Sequence, residues 1–148
     1  MEQVGGTHYS CRQIEPIEFI ERNQLPFSAG NIVKYLTRWR DKGGMEDLRK
    51  AQQYLSFIES YDIVMPQEQA ISVDTYISEN AIAPEEGSVL IDLVSLTNIQ
   101  PETERRRTLL EMQDSLADLI AMAESLDNPA NKKRQRPGFR RLSGKWCC

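Results

Sequence analysis

Apolar and polar positions follow a helical period from about residue 29 to residue 41. On a helical wheel the large apolar side chains occupy about a third of the circumference, and the polar side chains occupy another third opposite. The apolar set is Ile32, Val33, Leu36 and Trp39, and the polar set is Asn31, Lys34, Tyr35, Arg38, Asp41 and Lys42. This pattern predicts an amphipathic helix.

A second helix is predicted from about residue 45 to residue 61. Gly43 and Gly44 separate the two helices, and glycine accepts the left-handed conformation that often ends a helix. The apolar face of the second helix is Leu48, Ala51, Leu55 and Ile58. Because the link is so short, the two helices are expected to form a tight hairpin.

The segment before the hairpin is predicted to contain a short helix. Residues 1–12 are typical of an extended start, and residues 24–28 of a turn around a proline. Residues 14–23 form the predicted helix, with Pro16 in the first turn, where its missing N–H costs nothing. A buried stripe is expected at Ile14, Ile17 and Ile20.

The second half of the chain is predicted to be helical as well. Residues 62–84 are helical or irregular, and the apolar run 88–97 fits a strand or a buried helix. We favour a helix there because no strand partner is evident. Pro101 precedes a long helix of about 40 Å, which Asn128–Pro129 ends. Its apolar stripe is Leu109, Met112, Leu116, Leu119, Ile120, Ala123 and Leu126.

The predicted fold is therefore all-α, with a helical hairpin core, a long C-terminal amphipathic helix and a basic flexible tail. We divide the chain into a hairpin domain (1–61), a helical extension (62–128) and the tail (129–148). The long apolar stripe exceeds what one small body covers, so a homo-oligomer is expected, with the ligand site between subunits.

Charge is distributed unevenly along the 148 residues. The tail carries seven of the 18 Lys and Arg residues and no acid, which leaves 11 bases against 22 acids in residues 1–128. An acidic body with a basic tail is unsuited to binding nucleic acid over a broad face. The tail itself is free to contact nucleic acid, an acidic partner or the body.

Composition limits the class of protein further. With 40% hydrophobic and 27% charged residues, the chain has a globular balance. We expect no membrane span because no apolar run is long enough, and no secretory signal because the first residues lack a charged-then-apolar layout. The three cysteines are an odd set without metal-site spacing, and the adjacent Cys147 and Cys148 cannot easily form a disulfide, so a reducing cytoplasm is expected. The single histidine, His8, rules out a site built from several histidines.

The polar face of the first hairpin helix is a candidate phosphate site. If the helix begins at Gly30–Asn31, its free N–H groups and positive dipole end suit an anion, and the glycine allows close approach. Lys34, Arg38 and Lys42 follow at intervals of one turn, about 6 Å apart, and form a linear row of cations. Tyr35 flanks this row, where its ring could stack on a base or its hydroxyl could hydrogen-bond a sugar or phosphate.

The same residues also allow plainer interpretations. A row of cations on a helix is usually a solvated face, and the acidic body could neutralise it. Asp47, Lys50 and Tyr54 share one side of the second helix and fit a structural salt bridge beside a buried tyrosine. Alternatively, Asp47 holds a metal ion or a neighbouring cation. His8 near the terminus is more often structural than catalytic.

Common nucleotide-enzyme signatures are absent from the sequence. It contains no P-loop, no dinucleotide-binding glycine motif and no nucleophile elbow. Acidic pairs such as Glu18 with Glu21, and Glu111 with Asp114 and Asp118, are similar to the magnesium carboxylates of all-helical nucleotide pyrophosphatases. The two groups lie too far apart in sequence for the usual helical unit of that family.

Residues 7–58 resemble a small conserved domain of tailed-phage early proteins, the phage nucleotide-kinase-like family. The resemblance lies in the stretch HYSCRQIEPIEFIERNQLPFSAGNIVKYLTRWRDKGGMEDLRKAQQYL. The motifs are a His-Tyr pair, I-x-P-I-E-F-I, F-x-x-G-N-[IV]-x-K-Y, a basic stretch with glycine, and D-L-x-K-A-x-x-Y. The family positions fall on His8, Tyr9, Gly30, Asn31, Lys34, Tyr35, Arg38, Lys42, Asp47, Lys50 and Tyr54.

The resemblance implies nucleotide binding, and three functions are open. The first is a P-loop-less nucleoside monophosphate kinase in which Lys34, Arg38 and Lys42 stabilise phosphate, Asp47 helps hold Mg²⁺ and His8 shuttles a proton. The second is a non-catalytic phage protein of the host cytoplasm that sequesters a host nucleotide signal, including a cyclic dinucleotide, or inhibits a host enzyme. The third is a protein or nucleic-acid binder that works through the tail.

Overall fold

The computed structural model describes residues 13–128, and these residues form an all-α structure. The helices in this part of the chain are α1 (Pro16–Arg22), α2 (Phe27–Arg38), α3 (Gly44–Ser60), α4 (Val73–Glu79), α5 (Pro84–Ser95) and α6 (Glu102–Asp127). Within 13–128 the β-type pairing is limited to one isolated parallel bridge between Met65 and Thr97. The predicted fold class is confirmed for the described residues.

Helices α2 and α3 form the predicted hairpin. Gly44 adopts a left-handed backbone with φ 53°, and its N–H donates to the carbonyl of Trp39 at 2.8 Å. This geometry turns the chain between the helices, and a side chain at Gly44 would be strained there. Both predicted apolar faces are confirmed. They lie buried in one core with residues such as Leu36 and Leu55.

The remaining helices cover the outer sides of the hairpin. α1 packs on α2, α6 packs on α3 and α5, and α5 also contacts α2 and α4. The hydrophobic core of the described residues is one cluster that runs from Phe19 to Ala123. The core therefore contains residues from both sides of residue 61. The predicted division of the chain into three parts stays a prediction.

The long helix α6 keeps most of its predicted apolar stripe inside the molecule. The stripe is buried from Leu109 to Ala123, except that Ile120 is half-buried. Leu126 is exposed, so the stripe that the molecule itself covers ends about one turn earlier than predicted.

The predicted stripe on α1 is confirmed only in part, because Ile14 and Ile20 pack half-buried against the core and Ile17 does not. Ile17 is 56% exposed, whereas Phe19 is fully buried and stacks on Tyr76 with ring centroids 4.3 Å apart. A three-residue spacing drifts around a helix of 3.6 residues per turn, and Ile14 precedes the helix. The largest apolar side chain of α1 therefore occupies the core position.

The segment between α3 and α5 contains the short helix α4 and irregular chain, which agrees with the prediction of helical or irregular structure there. Asn23 fixes this segment: its amide Nδ2 donates to the carbonyl of Ile71 at 2.8 Å, and its Oδ1 accepts from the Ile71 N–H at 2.9 Å. α5 is a helix, which confirms the choice made for the apolar run 88–97.

Several predictions fall outside the described residues. These are the extended start, His8 and Tyr9 within residues 1–12, and the basic tail within residues 129–148. In the described range, every helix is too short or too polar to cross a lipid bilayer.

Candidate functional site

A cluster of cations surrounds the ring of Tyr35 on the outer surface of the hairpin. The Lys34 Nζ lies 4.4 Å from the ring centroid, the Arg38 Cζ 5.1 Å and the Lys50 Nζ 5.7 Å. Lys34 and Arg38 come from α2, and Lys50 comes from α3. Cations at these distances are attracted by the ring quadrupole, so the tyrosine helps hold three like charges together.

The Lys34 ammonium is hydrogen-bonded to a neutral amide rather than to a carboxylate. Its Nζ donates to the Oδ1 of Asn31 at 2.8 Å, and the Asn31 Nδ2 donates to the carbonyl of Phe27 at 2.9 Å. Because this partner is a neutral amide, the ammonium keeps its full positive charge while its position is fixed.

Arg38 is held by a buried carboxylate. Its Nε donates to the Asp47 Oδ2 at 2.9 Å and its Nη2 donates to the Asp47 Oδ1 at 3.1 Å. The Asp47 residue is only 1% exposed, whereas part of the Arg38 side chain reaches the surface. Such a two-point contact fixes the guanidinium plane. Asp47 thus holds a neighbouring cation, which was one of the predicted alternatives.

Lys50 makes an exposed ion pair within α3. Its Nζ lies 2.6 Å from the Glu46 Oε1, one turn earlier. The hydrogen bond from Lys50, with its charge, lowers the pKa of Glu46, and the same hydrogen bond raises the pKa of Lys50. Both groups are solvent-accessible, so this pair is weak and an incoming anion can compete with Glu46 for the ammonium.

Aromatic rings continue this surface toward the open end of the hairpin. The Tyr54 ring stacks on Tyr35 at 6.0 Å and meets Phe27 and Phe57 edge-on at 5.9 and 5.7 Å. Phe57 in turn contacts Tyr61 at 6.4 Å. Phe27 is 77% exposed, which is unusual for a phenylalanine.

We call this surface the cation–aromatic face. It consists of Phe27, Asn31, Lys34, Tyr35, Arg38, Lys50, Tyr54 and Phe57. Since the chain reverses between α2 and α3, Arg38 faces Asp47 at the turn end and Phe27 faces Tyr54 at the open end. The face is therefore cationic at one end and aromatic at the other.

In the structure, the backbone N–H of Gly30 is not free to bind a phosphate. α2 begins at Phe27, three residues before the predicted start, and the Gly30 N–H donates to the Pro26 carbonyl at 2.9 Å. An added Cβ at Gly30 would lie 3.0 Å from the Ile20 Cγ2. The glycine therefore allows α1 to pack closely on α2.

Lys42 lies apart from the cations around Tyr35. α2 ends at Arg38, and Lys42 is exposed in the turn that follows, with its N–H donating to the Arg38 carbonyl at 2.9 Å. The predicted row along one helix thus keeps Lys34 and Arg38. Lys50 of α3, which the family resemblance placed among the expected nucleotide-binding positions, takes the third position around the ring.

Three of the carboxylates considered as metal ligands, those of Asp47, Glu18 and Glu111, already have basic partners. Both Asp47 oxygens accept from Arg38, Glu18 pairs with Arg22 at 3.4 Å, and Glu111 pairs with Arg107 at 2.8 Å. Within residues 13–128, no group of three or more His, Cys, Asp or Glu side chains is arranged to hold a metal ion.

Sequence reasoning missed Phe27, Phe57 and Glu46 as members or neighbours of this face. A signal for Phe27 was present, because residues 27, 31, 34 and 38 follow a spacing of four, three and four. Because a turn was predicted over residues 24–28, the predicted helix began after Phe27 and left it out of this face. Phe57 lies three residues after Tyr54 and four before Tyr61, a spacing that also marks one helix face.

Comparison with known proteins finds a partial family match that includes the hairpin and gives no activity. Residues 5–56 match the family model described as "Protein of unknown function (DUF3310)". The match covers α1, α2 and most of α3, which together carry most of the cation–aromatic face. No curated protein matches the chain. No solved structure matches it either.

Proposed function

We propose that this protein binds a nucleotide on the cation–aromatic face. The phosphate lies against Lys34, Arg38 and Lys50, and the base lies toward the exposed rings. The observation that supports this most strongly is the convergence of three cationic groups within 4.4 to 5.7 Å of one tyrosine ring. A nucleotide is a small ligand that presents both an anion and a flat aromatic surface to such a face.

The charge of the rest of the chain favours a small ligand over a nucleic acid. Residues 1–128 carry 11 bases against 22 acids, so a long polyanion would be repelled outside the site. Lys34 supplies an uncancelled charge, Arg38 supplies a fixed guanidinium, and Lys50 is released from Glu46 at little cost. These three groups suit a compact phosphate.

Binding without turnover is the version that we favour, as in a protein that sequesters a nucleotide signal or inhibits an enzyme by holding its ligand. The observation that favours it is the use of both Asp47 oxygens by Arg38, which makes Asp47 a positioning group for a cation. Phosphoryl transfer to a nucleoside monophosphate, with Mg²⁺ and with His8 as proton shuttle, is the second candidate function that the resemblance supports.

The test is calorimetric titration with ATP, GTP, CTP and dTTP and with the corresponding monophosphates. Lys34→Ala should weaken binding about tenfold or more, because it removes a charge-assisted contact to phosphate. Arg49→Ala is the matched control: Arg49 is an exposed cation of α3 that pairs with Glu124 of α6, away from this face. Arg49→Ala should leave the affinity unchanged.

Turnover is measured separately, as ADP formation from ATP with Mg²⁺ and each monophosphate. ADP that appears only with an acceptor present would establish the kinase version. Binding followed by recovery of unchanged ligand would establish the sequestering version. If no nucleotide binds at millimolar concentration, or if Arg49→Ala has the same effect as Lys34→Ala, nucleotide binding on this face is wrong.

A further inference from the structure

The exposed ring of Phe27 lies on the same face of α2 as the cations, but some distance from them. Phe27, Lys34 and Arg38 are separated by seven and four residues, so they recur on one side of the helix. At 1.5 Å per residue, Phe27 lies about 10 Å from Lys34 and about 16 Å from Arg38 along the helix axis. Asn31 lies between them and bridges the two ends through its bonds to the Phe27 carbonyl and to Lys34.

Phe27 is the aromatic group of α2 that can accept a base. The Tyr35 ring is buried beneath the three cations. The Tyr54 ring is half-buried, stacked on Tyr35 and flanked edge-on by Phe27 and Phe57. The Phe27 ring instead meets the Tyr54 ring edge-on, with centroids 5.9 Å apart and an angle of 73° between the ring planes. Because Phe27 is 77% exposed, the faces of its ring are open to solvent.

Resting on the proposed function, we infer that the ligand is a nucleoside polyphosphate, with its base on Phe27 and its phosphate chain running toward Arg38. A nucleoside monophosphate carries its phosphate only one sugar away from the base, and this is too short to reach both Lys34 and Arg38 from Phe27. A diphosphate or triphosphate extends along the helix and places successive phosphates at Lys34 and at the Arg38–Lys50 pair.

The charges along this path fit a chain of phosphates. Lys34 comes first from the aromatic end and carries an uncancelled charge. Arg38 and Lys50 lie further along, each with a carboxylate partner. A terminal phosphate, which carries the most charge, competes best with Glu46 for Lys50 because that ion pair lies at the solvent-accessible surface. Each additional phosphate contact should therefore raise the affinity.

The experiment is a titration of the full chain with AMP, ADP and ATP, with the guanine, cytosine and thymine series, and with inorganic tripolyphosphate. Affinity should rise at least about tenfold from monophosphate to triphosphate, as expected for added charge-assisted contacts. Phe27→Ala should lower the affinity for each triphosphate about tenfold and leave that for tripolyphosphate unchanged. Phe27→Leu, which keeps apolar bulk without a flat ring, should behave like Phe27→Ala.

Tyr61→Ala is the matched control, since Tyr61 is a 75% exposed aromatic at the far end of the same row of rings. It should leave every affinity unchanged. Equal affinities for mono- and triphosphates, or a loss in Tyr61→Ala in place of Phe27→Ala, would overturn the inference. If Lys34→Ala still weakens binding when the inference is overturned, the proposed nucleotide site remains supported although the base does not lie on Phe27. If no nucleotide binds, both proposals fail.

Discussion

Arg38 and Asp47 are joined by two parallel hydrogen bonds at the turn of the hairpin, with N···O distances of 2.9 and 3.1 Å. The contact links the last residue of α2 to the first turn of α3. Since Asp47 is buried, its carboxylate depends on this guanidinium for compensation of its charge. The same contact points the guanidinium toward Tyr35, so stability and the candidate site depend on one pair.

Replacing Arg38 with alanine should destabilise the protein by about 3 kcal/mol, because it leaves the buried Asp47 carboxylate without this partner. Arg38→Lys should lose less, since the charge remains and only the two-point geometry is lost. The measurement is urea unfolding followed by circular dichroism. Arg22→Ala serves as the control: it removes an exposed pair with Glu18 and should change the free energy of unfolding by about 0.5 kcal/mol or less.

Gly43 should tolerate no side chain. A Cβ built on Gly43 would overlap the carboxyl group of Asp47, which is fixed by Arg38. Gly43→Ala should therefore cost about 1 to 3 kcal/mol through forced displacement of that pair. A variant as stable as the parent would show that Asp47 can move freely, which contradicts the fixed geometry described for the site.

An alanine at Gly87, unlike one at Gly43, should not destabilise the protein, so Gly87→Ala is a matched control. Gly87 lies inside α5, where an added Cβ would meet the Ile77 Cδ1 at an ordinary 3.5 Å. Gly87→Ala should stabilise the protein by up to about 1 kcal/mol, because alanine favours the helix. Thermal unfolding of the two glycine variants side by side distinguishes a steric effect from a general effect of mutation.

Glu86 connects the end of the hairpin's first helix to α5. It is 2% exposed, and its Oε1 accepts from the Trp39 Nε1 at 2.5 Å and from the Arg40 Nε at 2.6 Å. Glu86→Ala should cost about 2 to 4 kcal/mol, because the buried indole N–H loses its acceptor and a cavity forms.

The control for Glu86 is its neighbour in the same first turn. Glu85 is exposed, and Glu85→Ala should cost no more than about 1 kcal/mol, the usual value of an acid at a helix N-terminus. Near-ultraviolet circular dichroism should also change for Glu86→Ala, through Trp39, and not for Glu85→Ala. Equal losses of stability in the two variants would contradict the role given to the buried carboxylate.

Asp92 should make stability depend on pH in the acid range. Partial burial raises the pKa of the Asp92 carboxyl above its ordinary 3.8, and the negative charge of Glu111 raises it further. The folded state therefore holds this proton to higher pH than the unfolded chain does. The contribution of Asp92 to stability falls as pH rises from 3.8 to the raised value, and it stays reduced above that.

Asp92→Asn should accordingly raise the thermal midpoint at neutral pH by up to a few degrees, and the gain should vanish below about pH 3, where Asp92 is protonated in both states. Thermal melts over this pH range check the prediction. Asp114→Asn, an exposed acid on α6, is the control and should show no such gain. A gain for Asp92→Asn that persists unchanged at low pH would show a different cause.

The sequence by itself determined the two helices of the hairpin and their inward faces. Ile32, Leu36, Leu48 and Leu55 recur with the period of a helix, and this periodicity is a local property that any amphipathic helix must show. Lys34 and Arg38 could likewise be placed on one side of α2 because both lie on the same helix. The glycine pair fixed the turn, since only Gly44 accepts its backbone conformation easily.

Only the tertiary structure decided which side chains meet across helices. It paired Asp47 with Arg38, brought Lys50 to Tyr35, placed Tyr54 beside Phe27 and set Gly30 against Ile20. These contacts depend on how far one helix is shifted and rotated against another. That register follows from the packing of the whole core, to which distant residues such as Glu86 contribute, so no local pattern encodes it.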